Sequence, residues 1–239
     1  MGLAGWLASP WSAEFLLSES PYGMTEVGKP VSWDDAASDS SLRTMTAIDS
    51  ASLDTLFLKA RTANGFLDKP VPLELLHEVY DIAKYGATSM NTQPTRYVML
   101  ISPQARARLL PAMSPGNLDK TRAAPVTIVV ATDMRFYEHM PLVWHKDGAR
   151  EMFAGNAALA NATAVRNGTL GAAYFMMAAR ACGLDCGPMS GVDLTKVNAE
   201  FFTDGRFQTN FILNLGYGDD SKLFKRNPRL TFDQACQVL

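Results

Sequence analysis

The segment from Asn156 to Leu184, NAALANATAVRNGTLGAAYFMMAARACGL, constrains the fold of this chain more than any other. Small residues and methionines fill it, and as a helix it is apolar nearly all round, with little face to give to water. It is therefore expected as a central buried helix or as a contact between subunits. Its methionines read as core filling.

Other segments supply the rest of a fold. VPLELLHEVYDIAKYG puts Leu75, Leu76, Val79, Ile82 and Ala83 at helical spacing, with Pro72 in the first turn and Gly86 as the stop. RYVMLI reads as a strand, QARARLLPAM as a short helix ended by SPGN, and APVTIVVATD as the clearest strand, apolar on both faces. FQTNFILNLGYG is another strand. TFDQACQVL closes the chain as a helix with Thr231 and Gln234 in capping-box spacing. Helices outnumber strands without strict alternation and nothing repeats, so the expected class is α+β.

At 239 residues, 47% hydrophobic and 19% charged, the chain suits one domain with a proper core or two small ones. Its longest apolar run, Ala123–Ala131, is short of the roughly 18 residues that cross a bilayer. A net charge of −2 without a clustered basic face argues against nucleic acid as a partner. Cys182, Cys186 and Cys236 mark no disulfide framework, and with three histidines no metal site is expected, only a reduced cytoplasmic protein. Residues 1–44 hold six acids and two bases, which leaves 20 bases and 18 acids downstream. That first segment lacks a basic n-region and continues into acidic, Ser-rich VSWDDAASDSSLRT. It is expected as a flexible extension, either an added segment or a start assigned upstream of Met24 or Met45. A single domain is expected over 45–239.

Familiar catalytic signatures are missing. No G-x-G-x-x-G follows a strand, and neither a Walker A loop nor a G-x-S-x-G elbow is present. Tyr80 and Lys84 form Y-x-x-x-K on one helix face, but without an upstream Gly-rich loop they read as an ordinary exposed pair. His139, His145 and Asp147 lie in FYEHMPLVWHKDGAREMF, which reads as an irregular, mobile active-site flap or partner-facing loop. The connector YGATSMNTQPTRYVML carries Thr88, Ser89, Asn91, Thr92 and Gln93, neutral hydrogen-bonding groups with almost no charge.

Four separated segments, ARTANGF (60–66), ATSMNTQP (87–94), ACGLDCGPMSGVD (181–193) and NLGYGDDSKLFKRNPRL (214–230), together resemble the nitroreductase-like flavoproteins from about Ser52 to Leu239. The resemblance implies a central mixed or antiparallel sheet flanked by helices. It also implies a homodimer, with the long helix at its interface and FMN bound there. It assigns the FMN phosphate to Arg61, Thr62 and Arg229. Asn64 stands where the family has a second arginine, so Arg229 or Lys222 would carry more of the phosphate. Asn91, with Thr88, Ser89 and Gln93, is assigned to the neutral rim of the isoalloxazine, which gives the uncharged connector a purpose. The turn Pro188, Met189, Ser190, Gly191 would bring backbone N–H groups toward the flavin N5 edge. Catalysis would then need no nucleophilic side chain and no metal: hydride passes from NADPH or NADH through N5 to an acceptor. RTANGF, SPGNLDKT, AAPVT, FYE, GPMSG and GYGDDSKL further resemble the malonic semialdehyde reductases of pyrimidine degradation (the Rut pathway), which form 3-hydroxypropanoate. For a carboxylate substrate Arg166, with Asn167 beside it, is the candidate partner. Nitroaromatics or quinones are the alternative acceptors, and a non-catalytic flavin-binding homodimer is the alternative of another class.

Overall fold

Val126, Ile128 and Val130 alternate with Val129 and Ala131 along one strand, and the two sets bury themselves in different clusters on opposite faces. A computed structural model describes residues 46–239; the first 44, expected as an extension, lie outside the described residues. That strand is β2 (Val126–Asp133), next to β1 (Thr95–Leu100), β3 (Asp185–Met189) and β4 (Phe207–Gly216) in a sheet of order β1-β2-β4-β3. All three pairings are antiparallel, and Val98, Val129, Ile212 and Met189 share one row across the sheet.

In chain order the helices are α1 (Ser50–Leu53), α2 (Leu73–Ala83), α3 (Pro103–Leu109), α4 (Leu118–Ala123) and α5 (Met140–Val143). They continue with α6 (Ala149–Ala154), α7 (Ala157–Ala181), α8 (Leu194–Phe201) and the single turn α9 (Phe232–Ala235), whose Thr231–Gln234 capping box forms as expected. α2 and α7 cover one face, with Leu76, Val79 and Phe175 against Ile128, Val130 and Leu213. Leu109, Val197 and Phe202 cover the other, against Val129 and Ile212. The result is the α+β class, with a buried sheet between helical layers.

The long helix starts where Asn156 Oδ1 accepts from Leu159 N–H at 3.0 Å. It stops in a Schellman turn, with Leu184 N–H on Ala179 O at 2.9 Å and Gly183 N–H on Arg180 O at 3.0 Å. A Cβ on Gly171 would lie 2.1 Å from Thr95 Oγ1, so glycine is what lets α7 settle onto β1. There Tyr97 Oη donates to Gly171 O at 3.0 Å and Thr95 Oγ1 to Gly168 O at 3.1 Å. The helix is not buried all round, however. Leu159, Val165 and Leu170 remain exposed, with Arg166 among them.

Two other expectations change. Segment 136–153, read as an irregular loop, folds into a turn at Phe136–His139, α5 and most of α6. Phe136, Met140, Ala149 and Phe153 build a separate small core against Ala160 and Ala164 of α7, so its aromatics are structural rather than free. The turn expected at Pro188–Gly191 is in part strand, since Pro188 and Met189 belong to the edge strand Asp185–Met189 paired to β4. Among the described residues, no helix is long and apolar enough to cross a membrane.

Candidate functional site

Past α1 the chain lays itself along the free edge of β3. Thr62 forms a parallel bridge with Cys186, and Ala63 N–H bonds Cys186 O at 3.0 Å. A Cβ on Gly187 would lie 2.7 Å from Ala63 O, so the strand can accept this neighbour only with glycine there. Burial pushes the Cys186 thiol up to about 12, which leaves it chemically quiet. The segment after β4 returns to the same place: Phe66 bridges Gly218, and Asp219 N–H bonds Gly65 O at 3.0 Å.

Between these two segments opens a cleft of about 570 Å³, lined by Arg61, Thr62, Asn64, Arg180, Lys225, Arg226 and Arg229 with Phe57 and Phe224 as apolar wall. It holds five cations and no carboxylate. Backbone carbonyls aim the guanidinium groups. Arg61 Nη2 donates to Phe224 O, Arg226 Nη2 to Ala60 O at 3.1 Å, and Arg180 Nη1 to Leu56 O at 2.8 Å. Arg229 Nη1 donates to Asn227 O at 2.9 Å and to Pro228 O at 3.2 Å. A guanidinium has five N–H donors, so each keeps several for an anion. Arg61, Thr62, Asn64 and Arg229, separated in sequence, thus meet in one place. Lys222 does not line the cleft; its stem lies against Gly65. Arg180, Lys225 and Arg226 were not anticipated, although the run FKRNPR announces three cations in six residues.

The connector Thr88–Gln93 leads into β1, at the other edge of the sheet. Met90, Asn91 and Gln93 have φ of 50°, 52° and 41°. Non-glycine residues seldom adopt such values, and strain of this kind persists only where surrounding contacts hold it. Ser89 N–H bonds Asn167 Oδ1 at 2.8 Å, and Asn91 Nδ2 donates to Val143 O at 2.9 Å. Gln93 N–H bonds Thr88 Oγ1 at 3.2 Å, and Gln93 Nε2 donates to Asn91 Oδ1 at 3.0 Å. Thr92 Oγ1 is buried without a hydrogen-bond partner. Asn167, expected beside the substrate, is buried instead, its Nδ2 on Thr163 O at 2.8 Å and its Oδ1 on the connector. Arg166 is exposed on α7.

At the end of β3, Pro188 and Ser190 are exposed, Met189 is buried and Gly191 is half-buried. Gly191 O accepts from Ser114 N–H at 3.0 Å and from Asn117 Nδ2 at 2.9 Å, which fixes the turn to the loop before α4.

One carboxylate lies beneath the connector. Asp133 accepts from Arg96 Nη2 at 2.9 Å, from Arg206 Nε and Nη2 at 3.1 and 3.0 Å, and from Arg135 N–H at 3.0 Å. Burial alone would raise its pKa. Hydrogen bonds from His139 and Arg206 and the charges of Arg96 and Arg206 outweigh burial and hold the group at about 2. His139 is thus part of an ion-pair cluster. Among the described residues, no three His, Cys, Asp or Glu side chains are grouped to hold a metal. Lys84 pairs with Asp81 at 2.6 Å, and the Tyr80 ring meets Tyr97 edge-on.

Comparison with known proteins agrees with this architecture. Residues 58–217 match the profile of the Nitroreductase family. Proteins provisionally named NADH dehydrogenase/NAD(P)H nitroreductase, from Ralstonia nicotianae and Burkholderia lata, are each 52% identical to this chain. The matches cover 82% and 81% of it and 100% of theirs. A solved structure from Exiguobacterium sibiricum, provisionally described as a nitroreductase in complex with FMN, superposes with a TM-score of 0.70 at 18% identity, over 82% of this chain and 100% of that one. One from Bacillus subtilis gives 0.71 at 20% identity, over 80% and 100%. The chain belongs to the nitroreductase family.

Proposed function

We propose that this protein is an FMN-dependent oxidoreductase that works as a homodimer, draws hydride from NADPH or NADH, and reduces malonic semialdehyde to 3-hydroxypropanoate. The observation that carries the reading is the five-cation cleft without a carboxylate, bonded through Thr62 to a strand that glycine leaves open. A phosphate monoester bears close to two negative charges and prefers guanidinium forks with neutral donors beside them. Arg61, Arg180, Arg226 and Arg229 would hold that phosphate, with the Thr62 hydroxyl and the Asn64 amide. Thr88, Ser89, Asn91 and Gln93 offer the ring neutral partners, and Thr92 is a buried hydroxyl still lacking one. The stretch Pro188–Gly191, with Pro188 and Ser190 exposed, would bring main chain rather than bulk toward the ring. When bound, FMN supplies a hydride carrier, accepting at N5 from the nicotinamide and giving to the acceptor.

The positions of these parts support the homodimer reading. Thr62 sits beside Cys186, in the row of Leu215 and Val126, whereas the connector enters at the row of Thr95 and Thr132. They occupy opposite edges and opposite ends of the sheet, roughly 25 Å apart from strand spacing and rise. One chain therefore keeps its cation cleft away from its own connector, and a twofold axis would lay the connector of one subunit over the cleft of the other. The exposed apolar residues of α7 supply a face for that contact. Arg166 stands on the same face, next to the residue that holds Ser89, and would pair with a substrate carboxylate. All three cysteines are free, which suits the cytoplasm.

The names of the relatives favour nitro compounds as a second class of acceptor, with quinones alongside. Anaerobic titration separates the readings. Purified protein is expected to be yellow, to bleach with NADPH or NADH, and to recolour with malonic semialdehyde as 3-hydroxypropanoate forms. Recolouring only with a nitroaromatic or a quinone replaces the aldehyde. Protein that takes up no FMN overturns the proposal.

A further inference from the structure

We infer that Arg96 is a positioning residue for the connector, its guanidinium fixing the stretch that carries left-handed Met90, Asn91 and Gln93 to the buried Asp133. The inference rests on the FMN reading for its role in function. Arg96 Nη1 donates to Gln93 O at 2.8 Å and to Thr95 O at 2.9 Å, while Nη2 donates to Asp133 Oδ2 at 2.9 Å. One planar fork therefore holds the two carbonyls that flank Pro94. Proline has no N–H with which that stretch could secure itself. Asp133 adds a second grip, its own N–H bonding Pro94 O at 2.7 Å.

The anchor itself cannot drift. The Asp133 side chain is 0% exposed and is held independently by Arg206 and the Arg135 N–H. The consequence reaches the site through Gln93. Its φ of 41° sets the direction from which its Nε2 reaches Asn91 Oδ1. If the Gln93 carbonyl is released, the residue can return to negative φ, and the Gln93 and Asn91 amides turn with it. Lysine cannot replace the fork, since a single ammonium cannot lie in the plane of all three acceptors at fixed spacing.

Arg106 is a matched control. Its Nη1 also donates to two backbone carbonyls, Ile101 O at 2.7 Å and Pro125 O at 3.0 Å, away from the connector. The test compares Arg96→Lys, Arg96→Ala and Arg106→Met with the unaltered protein. Three properties are followed: FMN affinity by fluorescence quenching, the visible spectrum and midpoint potential of bound FMN, and amide hydrogen exchange at 88–93 without FMN. Both Arg96 variants are expected to exchange at least tenfold faster there and to bind FMN at least tenfold more weakly. Their bound spectrum and potential should move toward those of free FMN, and guanidinium ion should reverse this in Arg96→Ala. Arg106→Met should lower thermal stability and change none of the three. Unchanged exchange in Arg96→Lys overturns the inference, as does an equal response in Arg106→Met. If Arg96→Ala does not fold, Arg96→Lys decides alone. If unaltered protein binds no FMN, the FMN reading fails, while exchange at 88–93 still decides whether Arg96 holds the connector.

Discussion

Each arginine in the cleft already spends one or two N–H groups on a backbone carbonyl, which aims the remainder at a shared hollow. A charge-assisted hydrogen bond contributes about 1.5–3 kcal/mol. Arg229→Ala should therefore weaken FMN binding about ten- to hundredfold, measured by quenching of flavin fluorescence, and should flatten the salt dependence of binding. Asp133 obeys a different rule. Its folded pKa, about 2, lies below the ordinary 3.8, so the stability it contributes is complete above about pH 4 and is lost as pH falls toward 2. The difference amounts to about 2 kcal/mol. Urea denaturation at stepped pH should show that loss in the unaltered protein. Asp133→Asn should lack that limb and be less stable at neutral pH by about 3 kcal/mol, because two half-buried guanidinium groups lose their shared buried carboxylate, which leaves Arg206 with Glu138 alone.

At the scale of elements, the long run of small and apolar residues at 157–181 and the doubly apolar run 126–133 made the long helix and central strand legible from sequence. β3 was not, because Asp185–Met189 contains glycine and proline and no β-branched residue; β4 and the Thr62 segment impose its extended form. The positive φ values of Met90 and Gln93 left no trace either, since only glycine or asparagine signals such a backbone in advance. Arg61, Thr62, Asn64 and Arg229 were legible by order and resemblance. Arg180 was hidden in the last turn of the long helix, and only the fold brings it to the cleft. Close packing of α7 on β1 gives the prediction at this scale. Gly171→Ala places a methyl 2.1 Å from Thr95 Oγ1, so either the helix or the strand must move. Overpacking of this kind costs about 1–3 kcal/mol. Calorimetry should show a lowered Tm, and Thr95→Ala in the same chain should recover part of it by removing the clashing hydroxyl.

For the molecule as a whole, the proposed dimer turns on the distance between the cation cleft and the connector, which no internal motion of a packed sheet can close. β2 and β4 lie between the edges that carry them, and the two strands pair from Val126 to Asp133 with one bulge at Val130/Ala131. In the proposed dimer a second copy would bring cleft and connector together without any change in either subunit, provided a face exists on which the copies meet. α7 offers Val165 at 54% exposure and Leu170 at 41%, large apolar side chains on a helix whose other stripe is already buried. A carboxylate buried in such an apolar contact would lose water without gaining a partner. Val165→Glu should therefore give a monomer by analytical ultracentrifugation at concentrations where the unaltered protein sediments as a dimer. Because the cleft of each subunit would lose the connector of the other, the same variant should lose most of its FMN affinity while keeping the far-ultraviolet circular dichroism of the folded chain. A folded Val165→Glu monomer that binds FMN as tightly as the unaltered protein would place the whole site within one subunit, which the sheet topology opposes.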